Sequence, residues 1–349
     1  MLILIFWEKM VKIDICFASN DNYVPYMGTA IASILTNSKE DENITVHIIS
    51  ENINDNNKNK LISLNKIKDF NVIFYEPNKE IYCHIAKYNM KSYSTFFRLS
   101  IPSLMPNIDK ILYLDSDMII TKSLRELFEI DMANYYAFVV EDVMDKIDEL
   151  KAEIGLAKND RYFNAGFLMI NNRLWINDNI EEKFYNILDE KFLPYKDQDI
   201  LNYCLKGRVK YLDRKWNFLD NKSCYKNNTP DINTINIIHC IGKPWKKECN
   251  ISFFQDEFWK YYQLTPWFFE KPIDAIQTIL YQKYGDYEER KLKNNDIKFF
   301  GIYHNRNTLQ IVIFFIRITI EMNFNNINKI AWWIPVKKWR EAFKRAFDI

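Results

Sequence analysis

KILYLDSDMII, residues 110–120, is an apolar run that stops at two carboxylates one residue apart. Apolar residues in unbroken succession suit a strand covered on both faces. Such strands belong to parallel sheets flanked by helices. In open sheets of that kind, ligands bind beyond the carboxyl ends of the strands. Asp115 and Asp117 stand at such an end, and the two-residue period of extended chain puts both on one side. Two carboxylates that close repel each other unless a cation lies between them. A divalent metal removes the conflict and can then hold a diphosphate. The competing reading is a turn with two solvated acids.

The flanking sequence supports the sheet. VKIDICFAS (11–19), ITVHIIS (44–50), NVIFYEP (71–77), AFVVED (137–142), FLMIN (167–171) and INIIHCIG (235–242) read as strands. VPYMGTAIASILTNS (24–38) carries Pro25 at a helix start and Ala30, Ile31, Ile34 and Leu35 at helical spacing. Residues 54–66, 173–191 and 198–206 also read as helices. Alternating strands and helices predict an α/β chain with a central, mostly parallel sheet flanked by helices.

The 349 residues suit one large domain with an appendage, and 48% of them are hydrophobic, enough for a sizeable core. The formal charge of +1 provides no global basic field for nucleic acid. Six cysteines at irregular spacing, none in a CxxC pair, predict a reduced, intracellular protein. The N-terminal apolar run, Leu2 to Trp7, is too short for a signal peptide core, and Met10 is an alternative start. Beyond residue 265 aromatic and basic residues interleave. The expected division is therefore a catalytic domain over 1–265 and a helical, basic-aromatic region over 266–349.

A second strand end strengthens the metal reading. IIHCIGKPW (237–245) puts His239 at a strand terminus, followed by Gly242 and Lys243. An imidazole with two carboxylates is an N,O donor set that suits Mn²⁺ better than Ca²⁺. Lys243 offers a point charge for phosphate oxygens.

FASNDNYVPYMGTAIASI, STFFRL, KILYLDSDMII, RYFNAGFLMINNRLW, YKDQDILN and HCIGKPW, in this order over about residues 11 to 250, resemble the family 8 retaining glycosyltransferases. The likeness is greatest to bacterial lipopolysaccharide galactosyl- and glucosyltransferases, with glycogenin more distant. The resemblance implies an A-type glycosyltransferase fold, a UDP-sugar donor and Mn²⁺, with Mg²⁺ as the alternative ion. It implies Asp115, Asp117 and His239 as metal ligands. Ala18, Asn20, Asn22 and Tyr23 would meet uridine, Tyr23 by stacking, and Asn20 stands where many relatives carry Asp. Arg98, Ser116, Gly242 and Lys243 would lie along the donor and its phosphates. Asn164, Ala165 and Gly166 would line the sugar pocket. Asp197 would bind sugar hydroxyls, Gln198 would lie under the anomeric carbon, and Asp199 would stand nearby as a fallback nucleophile.

The resemblance further implies a hexosyltransferase that moves galactose or glucose from the UDP-sugar to a lipopolysaccharide, lipooligosaccharide or other glycan or glycolipid acceptor. A classical retaining glycosidase places a carboxylate beneath the anomeric centre. Gln198 is a poor nucleophile, so front-face attack by the acceptor hydroxyl is the favoured route. The rival readings are a self-glucosylating, glycogenin-like initiator and a non-catalytic sugar-nucleotide-binding module.

In the tail the apolar residues are Trp332, Trp333, Val336, Trp339, Phe343 and Phe347; from Trp332 the steps of four, three, four and four define one helical face, with Lys337, Lys338, Arg340, Lys344 and Arg345 filling the rest. That pattern predicts an interfacial helix on an anionic membrane, and with it a cytoplasmic protein held peripherally at the inner face of the cytoplasmic membrane. IVIFFIRITI (311–320) is too short to span a bilayer and carries Arg317.

Overall fold

The structure is a computed structural model. It describes residues 10–284 apart from 89, 144–146, 192, 226–229, 248 and 250, residues 300–321 apart from 306–307 and 314–315, and Lys337, Glu341, Lys344 and Arg345. The chain divides into two units, 1–243 with 251–266 and 244–250 with 267–349.

The first unit is built on a seven-stranded sheet. Its strands are β1 (Val11–Ala18), β2 (Glu42–Ile49), β3 (Asn71–Tyr75), β4 (Lys110–Leu114), β6 (Ala137–Glu141), β7 (Phe163–Asn171) and β8 (Val209–Leu212), in the order β3-β2-β1-β4-β7-β6-β8. β1 runs parallel to β2 and to β4, and β2 parallel to β3. β7 is antiparallel to both its neighbours, and β6 is parallel to β8. The reversal of β7 has a direct consequence. The start of β7 lies at the same sheet edge as the ends of β1, β4 and β6. Asn164, Ala165 and Gly166 therefore meet the residues that follow those ends.

A three-stranded sheet continues from that edge. β5 (Met118–Ile120) is antiparallel to β10 (Ile237–His239), and β9 (Phe218–Leu219) is parallel to β10. Asp115, Ser116 and Asp117 are the joint between β4 in the large sheet and β5 in the small one. Ile111, Leu112, Tyr113 and Leu114 are fully buried, as unbroken apolar sequence requires. Burial of each such Ile or Leu contributes roughly 1.5–3 kcal/mol.

The helix Val24–Asn37 has Pro25 in its first turn and buries Met27, Ala30, Ile31, Ile34 and Leu35. The single helix expected over 173–191 is two, Asn172–Asn177 and Ile180–Glu190. Asn179 separates them in a left-handed conformation at φ 51°, which Asn tolerates better than most residues. β10 is shorter than the expected 235–242, because the chain turns at Cys240 to Lys243.

The second unit contains helix Pro272–Tyr284 and a sheet of β11 (Phe300–Asn305), β12 (Thr308–Ile313) and β13 (Ile316–Glu321). All three strands pair antiparallel, with Ile302 opposite Ile311 and Ile311 opposite Ile318. The expectation of an all-helical region beyond 265 is corrected over 300–321. IRITIE alternates strictly between β-branched and polar residues, which is a strand period. The interfacial helix falls mostly outside the described residues. Lys337, Glu341, Lys344 and Arg345 are helical, and Lys337, Glu341 and Arg345 are exposed. Among the described residues no helix is long and apolar enough to cross a membrane.

Candidate active site

The carboxyl edge of the large sheet carries a cleft with two adjoining cavities. One, of about 380 Å³, is lined by Ala18, Asn20, Tyr23, Arg98, Asp115 and Lys243, with Lys243 Nζ 5.3 Å from the centre of the Tyr23 ring. The second, of about 450 Å³, is walled by Asn164, Ala165, Gly166, Tyr195, Asp197 and Gln198. Thr95, Arg98 and Asp115 line both.

Asp115, Asp117 and His239 converge at the joint between the sheets. One donor atom from each lies within 4.8 Å of the others. His239 Nε2 is 3.3 Å from Asp117 Oδ1 and 3.9 Å from Asp115 Oδ2. Neighbouring ligands of an octahedral ion bound at about 2.0–2.1 Å lie about 3 Å apart, so small adjustments suffice to close the set around a divalent metal. Two hard oxygens and one imidazole nitrogen fit Mn²⁺ or Mg²⁺.

The surrounding charges are organised by the same pair. Arg98, 4% exposed, donates from a terminal nitrogen to Asp115 Oδ1 at 2.7 Å and lies 3.1 Å through Nε from Asp197 Oδ2. Its guanidinium stacks 4.2 Å over the Tyr113 ring, and the Tyr113 hydroxyl donates to Asp115 Oδ1 at 3.1 Å. Lys243 Nζ donates to Asp117 Oδ2 at 2.8 Å. Lys243 also sits at φ 56°, a conformation that costs a non-glycine residue about 1–2 kcal/mol and aims its side chain into the cleft.

Burial alone would raise the Asp117 carboxyl, but His239 and Lys243 hold it well below the usual range. For His239, burial pushes the pKa down, and Asp117 and Asp115 more than offset it, leaving it above the ordinary value. Asp197 is raised, because burial outweighs the pull of Arg98 and Thr95.

Gln198 is locked by backbone and side chain. Its Oε1 accepts from Ala165 N at 3.0 Å and from Asn164 Nδ2 at 3.3 Å, and its Nε2 donates to Asp142 Oδ2 at 3.1 Å. Lys196, two residues before it and capping the helix Asp197–Cys204, has φ 53° and ψ −119°. Asn164 Nδ2 donates to the same Asp142 oxygen at 3.0 Å. Gly166 must be glycine: a Cβ there would lie 2.6 Å from His239 Cε1 and 2.8 Å from Asp115 Oδ2.

The residues singled out in the sequence are mostly brought together. Ala18, Asn20, Tyr23, Arg98, Asp115, Ser116, Asp117 and Lys243 line the first cavity, and Asn164, Ala165, Gly166, Asp197 and Gln198 the second. Ser116 is 7% exposed, with its hydroxyl 3.5 Å from the Ala18 carbonyl. Gly242 sits in the turn after His239 and Asn22 is exposed; neither is among the lining residues. Asp199 faces the core. It is fully buried, accepting from the Tyr162 hydroxyl at 2.6 Å and from Tyr195 N at 2.7 Å. Two residues went unread: Asp142 and Asn217. Asp142 immediately follows β6, the position that marked Asp115, and that signal could have found it. Asn217 carries no sequence signal.

A sequence match to the family described as glycosyl transferase family 8 covers residues 14–249. The lipopolysaccharide 1,2-glucosyltransferase of Escherichia coli is 32% identical over 284 residues, 74% of this chain and 82% of that one. The lipopolysaccharide 1,3-galactosyltransferase of Salmonella typhimurium is 28% identical over 250 residues, 67% of this chain and 73% of that one. The solved structure of galactosyltransferase LgtC with donor and acceptor sugar analogues superposes with a TM-score of 0.63 at 26% identity, over 73% of this chain and 96% of that one. The sheet order and this superposition make the fold that of the A-type glycosyltransferases.

Proposed function

The chain belongs to glycosyl transferase family 8, and on that premise we propose that it is a retaining hexosyltransferase that uses a UDP-sugar, UDP-galactose or UDP-glucose, and Mn²⁺. Its acceptor is a hydroxyl of a lipopolysaccharide, lipooligosaccharide or related surface glycan. The observation that carries this reading is the convergence of Asp115, Asp117 and His239 on one point beside two cations, Arg98 and Lys243. Bound there, the metal would supply Lewis-acid stabilisation of the departing diphosphate. Lys243 then serves the leaving phosphate as a point charge. Asn20 and Tyr23, which line the same cavity, would meet the base.

The sugar belongs in the second cavity, between Asp197 and the Asn164–Gly166 segment. Gln198 presents a fixed carbonyl-bearing amide there. The carboxylates on that wall are already engaged, Asp115 and Asp197 by Arg98. Asp199 would have to shed two hydrogen bonds and leave the core to attack carbon. These facts favour attack by the acceptor hydroxyl on the face the leaving group departs from, with the departing phosphate taking the proton.

We place the enzyme in the cytoplasm, peripherally at an anionic membrane surface through its basic tail, where Lys337 and Arg345 are exposed. The test of the central reading is a donor screen that follows nucleotide release across a panel of sugar nucleotides with Mn²⁺. Turnover of UDP-galactose or UDP-glucose is expected. Absence of turnover with every UDP-sugar would leave a binding module.

A further inference from the structure

We propose that Asn217 is a positioning residue that sets the tautomer of His239, and that it takes its own orientation from the backbone of Gly166. The proposal rests on the metal-ligand reading of His239 given above. The Gly166 N–H can only donate, and it lies 3.0 Å from Asn164 Oδ1. That contact fixes which end of the Asn164 amide is oxygen. The other end agrees, since Asn164 Nδ2 faces the Asp142 carboxylate.

Asn217 Nδ2 lies 2.9 Å from the same Asn164 oxygen. An oxygen needs a donor, so Asn217 presents its NH₂ there. Its own oxygen is thereby turned to His239 Nδ1, at 3.2 Å. That oxygen has no proton to give, so Nδ1 carries it. A neutral imidazole has one N–H, which leaves the Nε2 lone pair facing Asp115 and Asp117. A lone pair opposite two carboxylates is a ligand set awaiting a cation. Asn217 is 2% exposed and His239 6%, so bulk water does not compete for Nδ1. Outer hydrogen-bond partners of this kind orient metal-bound histidines, and their loss typically weakens metal binding by about 10–100-fold.

The test uses full-length protein with ¹⁵N-labelled histidine, stripped by chelator. Long-range ¹H–¹⁵N spectra are taken at alkaline pH, where the ring is neutral. The chain has four histidines, and the His239 signals are those lost in His239→Gln. The wild type should show the Nδ1–H tautomer. Asn217→Asp should keep it, because a carboxylate oxygen still accepts. Asn217→Leu should convert His239 to the Nε2–H form, with that N–H donating to the facing carboxylates. Free Mn²⁺ measured by electron paramagnetic resonance should show weakening of about 10–100-fold in Asn217→Leu and a smaller loss in Asn217→Asp. If the leucine variant does not fold, Asn217→Ser, too short to reach the ring, replaces it. An Nε2–H tautomer in the wild type would overturn the proposal. So would a leucine or serine variant with wild-type tautomer and Mn²⁺ affinity. A wild type with the Nδ1–H form that binds no Mn²⁺ would remove the metal assignment and support the orienting role of Asn217.

Discussion

Gly166→Ala should damage the metal site by steric means alone. The added methyl would meet His239 Cε1 at 2.6 Å, Asp115 Oδ2 at 2.8 Å and Asn164 Oδ1 at 3.0 Å. Relaxed carbon–carbon contacts begin at about 3.5 Å, so the imidazole or the strand must yield by about 1 Å. Neither has room. His239 is buried, tied to Asn217, and lies in β10 between β5 and β9. Asp115 is held by Arg98 and Tyr113. Overpacking of this kind costs about 1–3 kcal/mol. For a unit of this size that lowers the melting temperature by about 2–12 °C, at roughly 2–4 °C per kcal/mol. Metal centres tolerate about 0.2 Å, and a 1 Å misplacement costs about 10²-fold in rate. The expected result is weaker Mn²⁺ binding by paramagnetic resonance, transfer reduced about 100-fold and a moderate loss of thermal stability. Gly207→Ala is the control. Gly207 has φ 76° with nothing within 4 Å of an added Cβ, so it should lose stability through backbone strain and keep its Mn²⁺ affinity. Mn²⁺ affinity and rate in Gly166→Ala indistinguishable from wild type would refute the steric reasoning.

Asp115→Asn and Asp117→Asn should each abolish transfer in a folded protein. Full wild-type activity in EDTA, or near-normal turnover in either variant, would defeat the metal assignment. An α-linked donor should give an α-linked product, read from the anomeric coupling by NMR; a β-anomer rules out retention. Gln198→Ala should slow transfer without stopping it, because an amide stabilises charge without forming a bond; a sugar adduct trapped on Asp199 would instead establish double displacement. Deleting residues 329–349 should leave donor hydrolysis intact and release the protein from anionic liposomes in a flotation assay, since each basic residue near such a surface contributes about 1 kcal/mol at low salt. Failure of the full-length chain to float at low salt would end the membrane reading.

The large sheet was legible because its strands are covered on both faces, so apolar runs such as 111–114 stand out against polar turns. The aspartate pair was legible for the same reason, as charge at the end of a buried run. The reversal of β7 was not, because strand direction leaves no mark on residue alternation. Asp199 was misjudged through its neighbours: one residue separates it from Asp197, yet helical geometry turns the two about 200° apart, one onto Arg98 and the other onto Tyr162. Asn217 was invisible, since its role depends on which end of an amide faces a partner distant in sequence. The strands at 300–321 are masked in the sequence because their apolar run is nearly continuous, and only IRITIE within it shows a two-residue period.

One oxygen of Asp142 accepts from both Asn164 and Gln198, and through Asn164 the chain of amides reaches His239. The half of the cleft proposed for the sugar and the half proposed for the diphosphate thus share a single anchor. This joins two traits that selection would otherwise tune separately. A substitution at Gln198 or Asn164 that favours a new hexose also disturbs the metal ligand and lowers the rate for every donor. Divergence in sugar preference should therefore accumulate at positions of the second cavity outside the amide chain, such as Met90, Pro194, Tyr195 and Lys196, while the Asp142 network stays fixed. Directed evolution of donor choice would do best to randomise those four positions and leave the anchor alone.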